Sequence, residues 1–284
     1  MKKLFLLYFV IFGSLNQAFT QGFDVKVSGQ GPIIILIPGL SSSGEVWDET
    51  VADLSKTFEC HVLTLPGFAG NPAIEMPDGF LNTMESLISE YINKQNEKVT
   101  LIGHSLGGFL SLRLSRSLPE KIDRAIIVDS FPFYSAAFNP TASEEGMVQM
   151  ASQMKQMMIS ASPDQYQTQQ EATMPTLTTN AEKAPLAVEW SMQSDRNTTA
   201  TAFYELMTTD FRDELADVET PILVLGAWYS GKNYGLTEAS VKATFESQYR
   251  LAKNVQIEMA PTAHHFIMWD NPEWFMEKVT QFLK

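Results

Sequence analysis

Val99-Thr-Leu-Ile-Gly-His-Ser-Leu-Gly-Gly108 decides how the rest of the chain is read. A β-rich apolar run from Val99 to Ile102 breaks at Gly103, and helical spacing of apolar residues takes over from Phe109 to Leu118. Between them lies Gly103-x-Ser105-x-Gly107. A strand that turns abruptly into a helix holds the corner residue in a strained conformation, and neighbours two positions away must lack side chains to avoid collision. The corner serine then stands exposed at the sheet edge, at a helix N-terminus whose free N–H groups and dipole favour developing negative charge. The spacing by itself is weak evidence. With a strand before it and a helix after it, Ser105 becomes a candidate nucleophile rather than part of a structural glycine-rich turn.

Outward from this corner, short apolar runs alternate with longer amphipathic stretches. Ile33–Ile37, His61–Leu65, Arg124–Val128, Ile222–Leu225 and Val255–Met259 read as further strands, and most are continuous runs suited to burial on both faces. Thr83–Asn93 has helical spacing, and Pro272-Glu273-Trp274 reads as the start of a last helix running to Phe282. The rhythm predicts an α/β fold, a mostly parallel doubly wound sheet. It breaks between Pro132 and Thr220, a stretch too long for a structureless loop, which predicts a helical cap insertion over the carboxyl ends of the strands. The expected organisation is a leader over 1–20, core over 21–131, cap over 132–220 and core again over 221–284. In the cap, Met147, Met150, Met154, Met157 and Met158 recur at helical spacing, either as core packing or as the lining of an adaptable apolar pocket. Ser162-Pro163-Asp164-Gln165 has the capping-box pattern that starts a helix.

The chain has 284 residues, 44% of them hydrophobic and 19% charged, which excludes a disordered, collagen-like or disulfide-scaffold protein. Its 33 acidic residues against 20 basic ones, with no basic run, exclude an electrostatic grip on nucleic acid or an anionic membrane and favour small uncharged substrates. Cys60 has no intrachain partner and reads as a buried core thiol; no cysteine metal site is suggested. Met1–Thr20 opens with Lys2 and Lys3, continues apolar from Leu4 to Phe12 and ends in small or polar residues around Ala18 and Thr20. This is the layout of a secretory signal peptide, so an exported protein, periplasmic or secreted, is expected, with no stable membrane insertion after the leader is removed.

A serine hydroxyl is a poor nucleophile until a base takes its proton, and the usual base is an imidazole. The chain has four histidines. His61 lies in a strand, and His104 sits inside the turn, where its side chain is expected to point away. His264 and His265 remain, in the loop between the last strand and the last helix, which is where the base arrives in this kind of topology.

These features resemble the α/β-hydrolase fold family, over Ile33 to Leu283, with the Gly103-x-Ser105-x-Gly107 turn as the specific part. The family's base follows a small residue and precedes an aromatic or apolar one, so Ala263-His264-His265-Phe266 points to His265 over His264. Ile37-Pro38-Gly39-Leu40 resembles the loop that supplies one backbone N–H to an oxyanion hole, the residue after the nucleophile supplying the other; by resemblance these are Leu40 and Leu106. Pro38 departs from the family's frequent histidine, which a backbone donor tolerates. The acid is awkward. Relatives commonly carry an aspartate after the strand before the last, yet Leu225–Gly235 has no carboxylate, and Glu238 is the first acid beyond it. A minority of the family places the acid one strand earlier, where Asp129 stands, leaving Asp129, Glu238, another acid in the cap or a Ser–His dyad open.

Leu65-Pro66-Gly67-Phe68-Ala69-Gly70 resembles a folding turn of the family, and Trp47, Trp190, Phe131, Tyr134 and Trp228 read as core or as pocket walls. The resemblance implies a serine hydrolase acting through an acyl-enzyme on a small, fairly apolar ester or lactone, with no metal or organic cofactor. An aminopeptidase-like hydrolase would want an amine-binding acid such as Glu189 or Glu205. A non-catalytic ligand-binding protein on the same fold is the alternative from another class.

Overall fold

The computed structural model describes residues 22–284, together with the backbone of Asn16–Phe19. Apart from that strand, the leader reading over 1–20 lies outside the described residues. Eight strands among the described residues form one sheet: β1 (Asn16–Phe19), β2 (Asp24–Gly29), β3 (Ile33–Ile37), β4 (Glu59–Thr64), β5 (Val99–His104), β6 (Ile122–Val128), β7 (Ile222–Gly226) and β8 (Val255–Met259). Their order is β1-β2-β4-β3-β5-β6-β7-β8. β2 runs antiparallel to β1 and β4, and every other pairing is parallel. Parallel pairing needs crossovers, supplied by helices α1 (Asp48–Leu54), α2 (Phe80–Asn93) and α3 (Leu106–Ser117) in the first half. The insert carries α4 (Glu144–Ser160), α5 (Pro163–Leu177), α6 (Ala184–Gln193) and α7 (Arg196–Thr208). The second half adds α8 (Glu238–Gln248), α9 (Ile267–Asp270) and α10 (Pro272–Leu283).

Successive residues of the central strands feed opposite cores. Ile35, Ile37, Leu101, Ile127 and Val224 pack on one face against α2, α3 and Phe245 of α8. Ile34, Leu36, Ile102, Ile126 and Leu225 pack on the other against Trp47, Ile267 and Phe275. Full burial of each such side chain is worth about 1.5–3 kcal/mol, which is why the central strands read as unbroken apolar runs. α2 follows the same logic at helical spacing, burying Phe80, Met84, Ile88 and Ile92.

The insert lies over the carboxyl ends of the strands, because its hydrogen bonds to the core go to the loops that leave β3, β4 and β8. Ser41 Oγ and Thr199 Oγ1 are 3.0 Å apart. Asp195 N–H donates to Gly67 O at 2.7 Å, and Phe266 N–H donates to Leu177 O at 3.0 Å. The capping box at Ser162 and Gln165 opens α5. The methionine stripe resolves into an inner row and a flank: Met147, Met154 and Met158 are half-buried around Ala151, while Met150 and Met157 are 53% and 62% exposed. Helical periodicity located the helix without telling how much of it a neighbour covers. Among the described residues no helix is long and apolar enough to cross a membrane.

Glu205 of α7 fastens the insert to the core. Its carboxylate accepts from the N–H groups of Phe80 and Leu81 at 2.9 and 2.8 Å, capping α2 from another element. Gly79, at φ 84°, makes the approach possible, since a Cβ there would meet Glu205 Oε1 at 2.6 Å. Glu205→Ala is expected to lower stability by about 1–2 kcal/mol, the usual scale for a lost helix cap, in chemical denaturation. An unchanged midpoint would show that water replaces the carboxylate without cost.

Candidate active site

β5 ends at His104 and α3 begins at Leu106, leaving Ser105 at φ 53°, ψ −119°. Such a conformation costs a non-glycine residue about 1–3 kcal/mol and persists only where its surroundings enforce it. Here Ser105 N–H donates to Val128 O at 2.9 Å, and Phe109 N–H donates to Ser105 O at 3.0 Å. A Cβ on Gly103 would lie 2.2 Å from Gly107 O, and one on Gly107 would lie 2.2 Å from Ile37 O. Both glycines are therefore demanded by the closeness of backbone to backbone.

Asp129 directly follows β6 at φ 45°. Its Oδ1 accepts from Ala227 N–H at 2.8 Å, and its Oδ2 accepts from His265 Nδ1 at 2.6 Å. The backbone after β7 thus orients a carboxylate borne by β6, where the sequence after Leu225 offers none. With Nδ1–H directed at Asp129, His265 Nε2 carries the free lone pair that a general base needs. The two side chains are 25% and 14% exposed, sheltered yet reachable. The Ser105 hydroxyl makes no hydrogen bond among the described residues; contacts between nucleophile and base commonly tighten only with substrate present. Glu238 is exposed in the first turn of α8 and makes no hydrogen bond or ion pair with His265, whose carboxylate partner is Asp129. His264 holds the loop by its backbone N–H, which donates to Asp270 at 2.8 Å. His61 is spent in the core between Tyr91 OH at 2.7 Å and Glu59 at 2.8 Å.

His104 departs from the expectation that its side chain points away from the site. It is buried, its ring lies 4.4 Å from that of His265, and its Nε2 donates to the His265 carbonyl at 3.0 Å. Burial, and then the neighbouring His265, hold its pKa well below the ordinary histidine value, so it stays neutral beside the base. A pattern of apolar residues could not reveal this, because the partner lies far along the chain.

The loop after β3 completes the arrangement. Gly39 is close enough to the turn that a Cβ would sit 3.2 Å from Ser105 Cβ. Ser41 is at φ 55° and buried, and Ser43 caps the short turn Gly44–Trp47. The N–H groups of Leu40 and Leu106 donate to no other group among the described residues. Both flank Ser105, one across the Gly39 contact and one in the next residue.

Of the aromatic residues, Trp47 and Trp190 are core, while Phe131, Tyr134 and Trp228 are partly buried. Glu205 is engaged on α2, and Glu189 is exposed with Gln193 on its carboxylate. The cap's basic residues are also engaged. Lys155 lies 5.5 Å from the Tyr204 ring and Lys183 2.7 Å from Glu49; Arg196 lies 4.5 Å from the Tyr166 ring, and Arg212 makes a two-point contact with Asp210. Among the described residues no group of three or more His, Cys, Asp or Glu gathers as a metal site.

Comparison with known proteins agrees with this fold. The Alpha/beta hydrolase family matches residues 34–278. The chain is 23% identical over 254 residues to the pimeloyl-[acyl-carrier protein] methyl ester esterase of Vibrio campbellii, covering 89% of this chain and 95% of that one. A hydrolase from Pseudomonas aeruginosa PA01 superposes with a TM-score of 0.77 at 16% identity, covering 96% of this chain and 99% of that one. The enol-lactonase of Burkholderia xenovorans LB400 superposes at 0.75 and 17%, covering 94% and 99%. With the family match spanning most of its length, and with a serine-bearing strand-to-helix turn at its centre, the chain belongs to the alpha/beta hydrolase family.

Proposed function

We propose that the protein is an exported carboxylic ester hydrolase that cleaves a small, uncharged and fairly apolar ester or lactone. Ser105 Oγ attacks the carbonyl carbon while His265 Nε2 takes its proton, and Asp129 holds Nδ1–H in place and balances the imidazolium. The N–H groups of Leu40 and Leu106 receive the oxyanion; each such donor is worth about 2.7–4 kcal/mol of barrier. Collapse of the tetrahedral intermediate expels the alkoxide, which takes the proton from His265. Water then repeats the sequence on the acyl-enzyme and frees Ser105.

The observation that carries this reading is the 2.6 Å contact between His265 Nδ1 and Asp129, which fixes the tautomer a base requires. It also weighs against a binding protein that has lost its chemistry. Of the cap's four cations, Lys183 and Arg212 are paired with Glu49 and Asp210, and Lys155 and Arg196 lie against the Tyr204 and Tyr166 rings, which favours an uncharged substrate over an anionic one. The occupation of Glu205 disfavours amine recognition of the aminopeptidase kind. By their names, the Vibrio relative acts on a methyl ester and the Burkholderia neighbour on a lactone, both reactions at an acyl carbon. Export rests on the Lys2, Lys3 and Leu4–Phe12 pattern.

Intact-mass and peptide analysis after treatment with a small fluorophosphonate tests the reading. One phosphonyl group is expected on Ser105, formed at least about 100-fold more slowly in His265→Ala, the lower scale for losing a general base. Modification elsewhere, or at an equal rate without His265, would remove the proposed chemistry.

A further inference from the structure

Three consecutive residues around the proposed base are gripped at the backbone by three different parts of the molecule. His264 N–H donates to Asp270 Oδ2 at 2.8 Å, the His265 carbonyl accepts from His104 Nε2 at 3.0 Å, and Phe266 N–H donates to the Leu177 carbonyl at 3.0 Å. Asp270 is a junction. Its other oxygen, Oδ1, accepts from Thr178 Oγ1 at 2.6 Å and from Thr179 N–H at 3.0 Å. Thr178 is buried, and its hydroxyl oxygen accepts from Asn180 N–H at 3.0 Å, which leaves the hydroxyl proton directed at Asp270. One grip on the base segment therefore comes from the nucleophile turn, and the other two lead into the cap at the end of α5.

The cap's other half is fastened elsewhere. Ser194 and Asp195 are bonded to the turn at Gly67 and Ala69, Thr199 to Ser41, and Glu205 to α2. A shift at the end of α5 would thus pull on the base segment through Leu177 and Asp270, while α7, which meets α5 where Arg196 lies on the Tyr166 ring, keeps bonds of its own to the core.

Building on the reading of His265 as the base, we propose that cap residues 177–179 position it through Asp270. In this arrangement His265 is held correctly relative to Ser105 only while the end of α5 is docked, and Thr178 and Asp270 are positioning residues. A displacement of about 1 Å in a reacting group costs on the order of 100-fold in rate, so a slackened strap is felt in turnover before it is felt in binding.

The test compares Thr178→Val, Thr178→Ser and Asp270→Asn for kcat, KM and the rate of Ser105 phosphonylation, below the melting transition of each. Valine keeps the shape and removes the donor; serine keeps the donor. Thr178→Val is expected to lower kcat and labelling by roughly 10-fold with KM within about twofold, and Thr178→Ser to stay within about twofold of the parent. Asp270→Asn should fall at least as far, and adding Thr178→Val to it should cost little more, since the two act in one chain of contacts. Should Asp270→Asn not fold, the Thr178 pair carries the result alone. Unchanged kcat in Thr178→Val, or an equal loss in Thr178→Ser, would overturn the inference. If His265→Ala silences the enzyme while Thr178→Val does not, this inference falls by itself. If His265→Ala retains turnover, the base assignment falls and takes this one with it.

Discussion

Ser105→Ala is expected to lower kcat for ester hydrolysis by roughly 10⁶-fold, the scale seen when a triad nucleophile is removed, while the protein folds normally. Alanine keeps the Cβ and therefore the strain at φ 53°. Ser105→Gly supplies a discriminating companion: it should be equally inactive, yet more stable than Ser105→Ala by about 1 kcal/mol, because glycine adopts φ > 0 without steric conflict. Turnover on an activated ester, read alongside denaturant midpoints, separates the two effects. Activity in Ser105→Ala above about a hundredth of the parent would place the nucleophile elsewhere. Glycine gaining no stability over alanine would mean the corner is not strained in solution.

Asp129→Asn carries the next largest effect, a fall in kcat on the order of 10⁴-fold. Ala227 N–H donates to Oδ1, so an asparagine in the same orientation keeps its carbonyl there and turns its NH₂ toward His265 Nδ1. That nitrogen must then accept, the ring proton moves to Nε2, and the base can no longer receive the serine proton. Asparagine tolerates left-handed backbone, so φ 45° at this position is no obstacle to folding. Glu238→Gln, changed at an exposed helix start, should leave kcat within about twofold. A folded Asp129→Asn that keeps most of its rate would show that the carboxylate only anchors the loop.

Much of the fold was readable because local chemistry and final environment coincide. β3, β5, β6 and β7 are buried on both faces, and a continuous apolar run has few other uses. β2 was missed because Asp24-Val-Lys-Val-Ser-Gly29 is largely half-exposed and antiparallel, with charges breaking its pattern. α8 was missed for a related reason: it buries little beyond Phe245 and Gln248, too few positions to set a helical period. At the site, the Ser105 corner was legible because glycines at 103 and 107 are required by contacts close in sequence or across one neighbouring strand. The grip of Asp129 on a residue 136 positions away was open to resemblance but not to local reasoning. The side chain of His104 was misjudged outright, since its neighbours come from the loop after β3, the last loop and the short turn at Trp47.

The single cysteine offers a clock. Cys60 lies on β4 between Ser28 of one neighbouring strand and Ile34 of the other, and burial pushes its thiol up to about 12. A disulfide reagent needs both access and thiolate, and the closed sheet withholds both. The speed at which the native enzyme consumes such a reagent therefore counts openings of the β2–β4–β3 side of the sheet, with no engineered label. Ligands that hold the cap shut should leave that rate unchanged unless closure is transmitted through the sheet itself, which makes one buried sulfur a gauge of whether cap and sheet breathe together.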